Sequence, residues 1–443
     1  MSNWAVKTFE GTRSNLSSPT WVCPGNVGAV RVSVYVRNGF ALLAANSHGT
    51  AQVVLSFDGR AYSVGTGTSG ALGDNTATSK SFFVPVVGSR GYRTIATGTS
   101  HTIALQGNGV AWAWGLNTSG RLGDNSITTR STPVQVTGAL SYVAVAAGLT
   151  HSHGLRADGN LYSWGDAAGG ALGDNTLLAK SSPVLVGGSH SFTSVVAGSA
   201  FSVALKANGE AWSWGTNTDG RLGDNSVASK STPVLVAGSH SFASIAAGST
   251  HALGLKANGE AWAWGLGTSG QLGDNTSASK STPVLVAGSH SFVSIKASLT
   301  HSIALKSNGE AWAWGLGTSG QLGNSSTLSR STPVLVSGSL SFAEIVAGDN
   351  FCAGILANGI GYAWGLNTAG RLGDGTATTR SSPVLMFPHS QMDRGGLFLL
   401  NQNVIPVTPG TSYNISRYLN ARFGSTDLNL NGLYYVVVLE YST

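Results

Sequence analysis

The sequence predicts an all-β protein: a seven-bladed β-propeller of fifty-residue repeats, plus a small β-sandwich-like module built from both termini. A glycine that ends a Tyr/Trp-rich run falls at Gly65, Gly115, Gly165, Gly215, Gly265, Gly315 and Gly365, always fifty residues apart. A fixed period in this range marks a solenoid, propeller or array. An Asn-Gly or Asp-Gly pair recurs in register in all seven copies, from Asp58 and Gly59 to Asn358 and Gly359. Charged residues make up only 10% of the chain, against a typical ~25%. Gly, Ser, Thr and Asn must therefore supply much of the surface, as in an all-β protein rich in tight turns. The domain boundaries that follow are 1–38, 39–388 for the propeller, and 389–443.

The fifth copy shows the elements of one repeat. Ser241 to Ala247 alternates as a first strand, and His251 to Ala257 is a second. Asn258 and Gly259 then join it to a third, Glu260 to Gly265. Asn-Gly between alternating runs is a strong hairpin signal, because a type I′ turn wants positive φ at both central residues. A polar loop through Leu272 and Asp274 leads to a fourth strand, Thr282 to Val286. Its Pro283 donates no ladder hydrogen bond, which places it at a strand start or an edge. Trp262 and Trp264 are two residues apart, hence on one face, with alanines on the other. Indoles facing alanines let blades stack closely, and a ring of such blades leaves only short, protected edges.

This unit, with Gly259 to Gly265, Gln271 to Asn275, Ser281 to Val286 and the following Gly-Ser-Thr-His stretch, resembles the repeat of the regulator-of-chromosome-condensation family. The resemblance covers about 350 residues. It implies a seven-bladed propeller used as a scaffold in nuclear exchange factors, in a secreted bacterial β-lactamase inhibitor, and in bacterial and viral proteins. A scaffold does not by itself define a function.

The flanks read differently. Thr20 to Val27 and the alternating Val30 to Val36 resemble the opening of β-rich modules of phage tail and appendage proteins. Val407 to Ile415, Arg422 to Ser425 and Leu433 to Tyr441 resemble the closing part of the same modules. The expectation is a propeller inserted into one β-module, which is feasible because domain termini often lie close together.

Net charge is +6, with +3 in residues 1–38, +3 in the propeller and none in residues 389–443. No Lys/Arg run occurs, so no nucleic-acid partner is expected. Cys23 and Cys352 are isolated and form no metal or disulfide framework. Met1 to Pro24 lacks the basic start and apolar stretch of a secretory signal. No apolar run reaches the ~20 residues of a membrane span.

One candidate binding constellation stands out. Lys80, Arg130, Lys180, Lys230, Lys280, Arg330 and Arg380 share one register position, and ring closure sets them on one rim. They form either an anion-binding crown or a set of local pairs, because an aspartate stands six residues upstream in six copies (Asp74, Asp124, Asp174, Asp224, Asp274 and Asp374). His101, His151, His251 and His301 share a position taken by Phe201 and Phe351 in other copies, which marks packing rather than metal ligation. His190, His240 and His290 form a second set, replaced by Leu340. No HExxH, GxSxG or Walker loop occurs, and Glu210, Glu260 and Glu310 are repeat decorations rather than one singular acid. Asp166 and Asp349 depart from the register without an obvious partner. The expectation is a non-enzymatic protein without cofactor or metal.

The flank resemblance implies a virion component, a tail, fibre or capsid-surface appendage within a larger assembly. Its partners would be other virion proteins and a host-surface protein or glycan. The alternative is a regulatory propeller, cytoplasmic, that binds a protein across one face. Ring closure is expected from Ser382 to Met386 pairing with residues 40–46, with Ser33 to Val36 as the competing strand.

Overall fold

The computed structural model describes residues 51–386 in full apart from 57–58, 89 and 358–359. Outside that stretch it describes the backbone strands Trp4–Thr12, Thr20–Val22, Ala29–Arg37, Phe40–Ala45, Leu397–Pro406, Ser412–Asn414 and Tyr434–Ser442.

Residues 40–386 form one compact unit of seven four-stranded antiparallel sheets, each built from consecutive strands. The fifth blade comprises Ser244–Ala247, His251–Leu255, Ala261–Gly265 and Lys280–Leu285. Among the described residues helix is confined to three short 3-10 turns. The second and third strands pair without interruption, from His251 opposite Gly265 to Leu255 opposite Ala261. The fourth strand then bulges: Ala263 faces Val284, but Gly265 faces Lys280. Pro283 lies within that bulge on the outermost strand, where its missing N–H leaves no gap in the ladder.

The apolar core lies between blades. Trp264 is fully buried with Phe242, Ile245, Val203 and Leu222 on one side of its sheet. Ala261 and Ala263 face the other way, against Trp314 of the next blade. Fit at this joint is close. A Cβ on Gly123 would stand 2.7 Å from Trp164 Nε1, and the residue has φ +70°, so only glycine lets the indole approach. Five of the six indole N–H groups also donate across the joint, as Trp164 Nε1 does to Arg121 O at 2.9 Å and Trp314 Nε1 to Gln271 O at 2.9 Å, whereas Trp264 Nε1 has no partner.

Ring closure differs from the expectation. Arg380–Leu385 pairs with Gly361–Gly365 of its own blade, and Phe40–Ala45 pairs with Ala51–Ser56. Residues 33–36 belong to Ala29–Arg37, which pairs with Leu397–Pro406 and Tyr434–Ser442. Neither proposed strand is exchanged. The reason is that the first copy already holds its fourth strand, Lys80–Pro85, in a form without the Ser-Pro-Val-Leu signature. Phe83 stands there where later copies have proline.

The seam between the last and first blades is instead a packed joint of altered residues. Val64 occupies the position of the buried tryptophan, and Phe83, 1% exposed, fills the space. A Cβ on Gly373 would meet Phe83 at 3.0 Å, as its equivalents would meet an indole. Gln52 Nε2 donates to Arg371 O at 2.7 Å, taking over the bond that an indole N–H makes elsewhere.

The remaining unit comprises Met1–Gly39 and Phe387–Thr443. Its four-stranded sheet runs in the order Trp4–Thr12, Tyr434–Ser442, Ala29–Arg37, Leu397–Pro406, and Thr20–Val22 pairs with Ser412–Asn414. The sandwich expected of the flanks depends also on residues 13–19, 23–28 and 415–433, which lie outside the described residues.

Candidate functional site

Antiparallel order puts the loops between third and fourth strands at one end of the ring, together with the loops between first and second strands. Each long loop is built on a local frame. In the second blade Asp124 Oδ1 accepts from Ser126 N at 3.1 Å and from Asn117 Nδ2 at 3.0 Å, while Leu122 N donates to Asn117 Oδ1 at 3.0 Å. Asn125 supplies the positive φ that the turn needs, at 60°. The frame holds residues 126–129 outward, and the same arrangement recurs at Asn217, Asp224 and Ser226 and at Asn367, Asp374 and Thr376.

The seven predicted cations stand where these loops enter the fourth strand. Six meet their own aspartate: Lys80–Asp74 at 4.0 Å, Arg130–Asp124 at 3.1 Å, Lys180–Asp174 at 3.8 Å, Lys230–Asp224 at 3.9 Å, Lys280–Asp274 at 3.6 Å and Arg380–Asp374 at 3.2 Å. Arg330 stands at the seventh position, where Asn324 replaces the acid. Burial pushes the Asp124 carboxyl up, but hydrogen bonds from Ser126, Arg130 and Asn117 outweigh it and hold the group below its usual range. The aspartates thus tie six of the seven cations to their own loops.

Some of these polar loops also present aliphatic side chains outward. Ile127, Leu177, Leu178 and Val227, on three consecutive blades, are 68, 69, 68 and 65% exposed, and Leu328 repeats the feature on the sixth. Sequence reasoning missed these residues because they sit in a polar loop at a register position that varies. Their only signal was that variation itself: Ala77, Ile127, Leu177, Val227, Ser277.

The first histidine set is structural. His101, His151, His251 and His301 are buried, each with Nε2 reaching into the next blade: to Ser152 at 3.0 Å, Ser202 at 3.0 Å, Ser302 at 2.9 Å and Cys352 Sγ at 3.0 Å. Ser152 and Ser302 donate onward to Arg121 O and Gln271 O, so these imidazoles act as donors through Nε2. Their Nδ1 atoms have no hydrogen-bond partner. Burial lowers all four, His151 to about 4 and His251 and His301 to about 3, with Arg121 adding to the effect on His101 and His151. His153, not singled out by sequence, is equally buried between Ser163 at 2.9 Å and Ser202 at 2.7 Å, and is likewise lowered by burial.

The second set, His190, His240 and His290, stacks at the opposite end on Trp212, Trp262 and Trp312, with ring centres 4.3, 4.3 and 4.4 Å apart. Lys206, Lys256 and Lys306 also lie over those indoles and pair with Glu210, Glu260 and Glu310. The glutamates that sequence treated as decorations are therefore held by local lysines. Asp166 caps the turn at Ala168 N, and Asp349, raised by burial, lies beside Arg371. Among the described residues no group of three His, Cys, Asp or Glu converges as a metal site, and no helix is long and apolar enough to cross a membrane.

The first strands of the second to seventh blades line an open central channel of about 270 Å³ among the described residues. Ile95, Val145, Val195, Ile245 and Ile295 give it an aliphatic wall, and Lys296 and Thr97 also face it.

Comparison with known proteins agrees with this architecture. The RCC1-like domain model matches residues 138–413, and the regulator of chromosome condensation (RCC1) repeat matches residues 108–155. No curated protein matches the chain in sequence. Among solved structures, human WBSCR16 is similar at a TM-score of 0.65 and 20% identity, over 81% of this chain and 94% of that one. Prp20p of Saccharomyces cerevisiae is similar at a TM-score of 0.67 and 18% identity, over 95% of this chain and 93% of its own. At these identities the two structures establish the fold alone. The family model spans more than half of the sequence, and the chain belongs to the RCC1-like domain family.

Proposed function

We propose that the chain is a regulatory, protein-binding propeller, not an enzyme, and that its partner docks on the end of the ring formed by the long loops. The observation that carries this is the run of Ile127, Leu177, Leu178 and Val227 on consecutive blades, on loops that Asn-Asp frames hold in the second and fourth blades and Asp174 with Thr176 holds in the third. Isolated exposed aliphatics are ordinary, whereas side chains clustered at one end and rimmed by polar loops are the usual anatomy of a docking surface. Six of the seven cations around the same end are paired with aspartates, which suits a protein better than a polyanion. Prp20p supports the same reading, since it is described with binding to Gsp1p and histones and in a complex with Kap60. The virion-appendage reading rests on the flank resemblance, the lack of a secretory signal in Met1 to Pro24 and a surface with few charges, and gains no support from the matched families, so the protein-binding alternative is preferred.

Paired co-purifications from the source organism test the proposal. The full chain is compared with an Ile127→Ser, Leu177→Ser, Leu178→Ser, Val227→Ser variant and with a Leu235→Ser, Leu285→Ser control on the outer strands. Loss of one stoichiometric protein from the loop variant, with retention by the control, is expected. Equal recovery from all three baits overturns the assignment of the face.

A further inference from the structure

We infer that the turns joining second to third strands are gated deamidation sites, where Asn108, Asn208, Asn258 and Asn308 each lose ammonia only when the adjoining blade joint opens. The inference is independent of which end of the ring docks a protein.

All four asparagines are exposed to water, and each precedes a glycine, which has no side chain to hinder attack by its backbone nitrogen. In the first step the glycine nitrogen bonds to the asparagine Cγ and gives its proton to solvent. The side-chain nitrogen takes a proton from solvent and leaves as ammonia. Water then opens the five-membered imide to aspartate or isoaspartate, and each conversion adds one negative charge.

The folded turn opposes the first bond. In the fourth blade Gly209 N donates to Lys206 O at 3.0 Å, and Gly209 has φ +81°, while Ala207 and Asn208 keep negative φ. This is a type I turn followed by a left-handed glycine, rather than the type I′ turn expected of Asn-Gly. Asn208 is the third residue of that turn, which sets its ψ at about 0°. A planar imide needs the Cβ–Cα–C–N torsion near eclipse, whereas this ψ holds it at about 120°. Cyclisation therefore requires the peptide plane between Asn208 and Gly209 to rotate.

That plane is held by the next blade. Asn208 O accepts from Ser241 Oγ at 3.1 Å, and Gly209 O accepts from Phe242 N at 2.9 Å. The serine bond recurs from Ser141 to Asn108 O at 3.3 Å, Ser291 to Asn258 O at 3.4 Å and Ser341 to Asn308 O at 3.0 Å. Local opening of such a joint, short of global unfolding, sets the rate in the folded ring. The third blade shows what an aspartate product does. Asp158 Oδ1 accepts from Asn160 N at 3.0 Å, as Asn208 Oδ1 accepts from Glu210 N at 3.1 Å, and Gly159 O still accepts from Phe192 N at 2.9 Å. Isoaspartate adds a carbon to the backbone and cannot keep both glycine bonds.

Peptide mapping by mass spectrometry tests the inference on the full chain, incubated at mildly alkaline pH either folded or in guanidinium chloride. Each of the four sites should deamidate about tenfold or more slowly in the folded chain. Ser241→Ala frees Asn208 O and should speed that site about fivefold in the folded chain, the equivalent of one hydrogen bond. Asn258 and Asn308 in the same molecules should keep their parental rates, and they report any general loosening. Equal rates in folded and unfolded chains overturn the inference. So does a Ser241→Ala variant in which Asn208 keeps its parental rate, or in which all four sites speed together.

Discussion

Lowering the pH from 7.5 to 5.5 should strip this propeller of much of its stability, well above the range where carboxylates titrate. Five imidazoles, His101, His151, His153, His251 and His301, are buried at 0 or 1% exposure. All are held below 6.5, with His151 at about 4 and His251 and His301 at about 3. In the unfolded chain each takes a proton near pH 6.5, whereas in the fold it stays neutral. The unfolded state therefore binds more protons below 6.5, and stability falls as pH falls, until the folded groups themselves titrate at about 3 to 4. One such histidine costs about 1.4 kcal/mol at one pH unit below 6.5. Five acting independently cost up to ~7 kcal/mol at pH 5.5, comparable to the ~5–15 kcal/mol net stability of a domain. Urea unfolding followed by tryptophan fluorescence at constant ionic strength reads this as a falling midpoint. A His251→Phe, Ser302→Ala variant copies the natural Phe201 and Ala252 pair, which pack together one blade earlier. That variant should recover about one fifth of the pH dependence. A midpoint unchanged between pH 7.5 and 5.5 would refute the neutral, inter-blade histidine account.

The remaining predictions concern the seam and the loops. Phe83→Ala should destabilise the ring by about 3–5 kcal/mol, as for a buried aromatic, despite its place on an outermost strand; denaturant titration measures it. Gln52→Ala removes the bond to Arg371 O and should cost about 1–3 kcal/mol, whereas Gln52→Ser, as at Ser152, should recover part of the loss. Arg130→Ala should cost under ~1 kcal/mol, because Arg130 is 39% exposed. Asn117→Ala breaks the buried loop frame and should cost more, about 2–3 kcal/mol by the same assay.

Much of the blade was legible in the residues. Alternation of Trp262 and Trp264 with Ala261 and Ala263 assigned the two sheet faces correctly, because a strand's period of two leaves no other choice. The seam was not legible, since Val64, Phe83 and Gln52 make sense only against Gly373 and Arg371, about 300 residues away and adjacent only once the ring is closed. Lys80–Pro85 carries Phe82 and Phe83 in place of the Thr-Pro or Ser-Pro of later copies, so the first blade's fourth strand bears no mark that a comparison of repeats would find. The same difficulty hid the histidine acceptors, which stand fifty-one residues on in the next blade. Lys296 stands where the neighbouring copies have Ala246 and Val346, but no pattern in the chain said that this position faces the channel.

A photo-crosslinking residue placed singly at Leu177 on the loop end, or at Leu285 on the outer strand, tests the docking account most directly. With the full chain expressed in its source organism, the account predicts one crosslinked protein partner from position 177 and none from position 285. The same partner captured from both positions, or from position 285 alone, would contradict it.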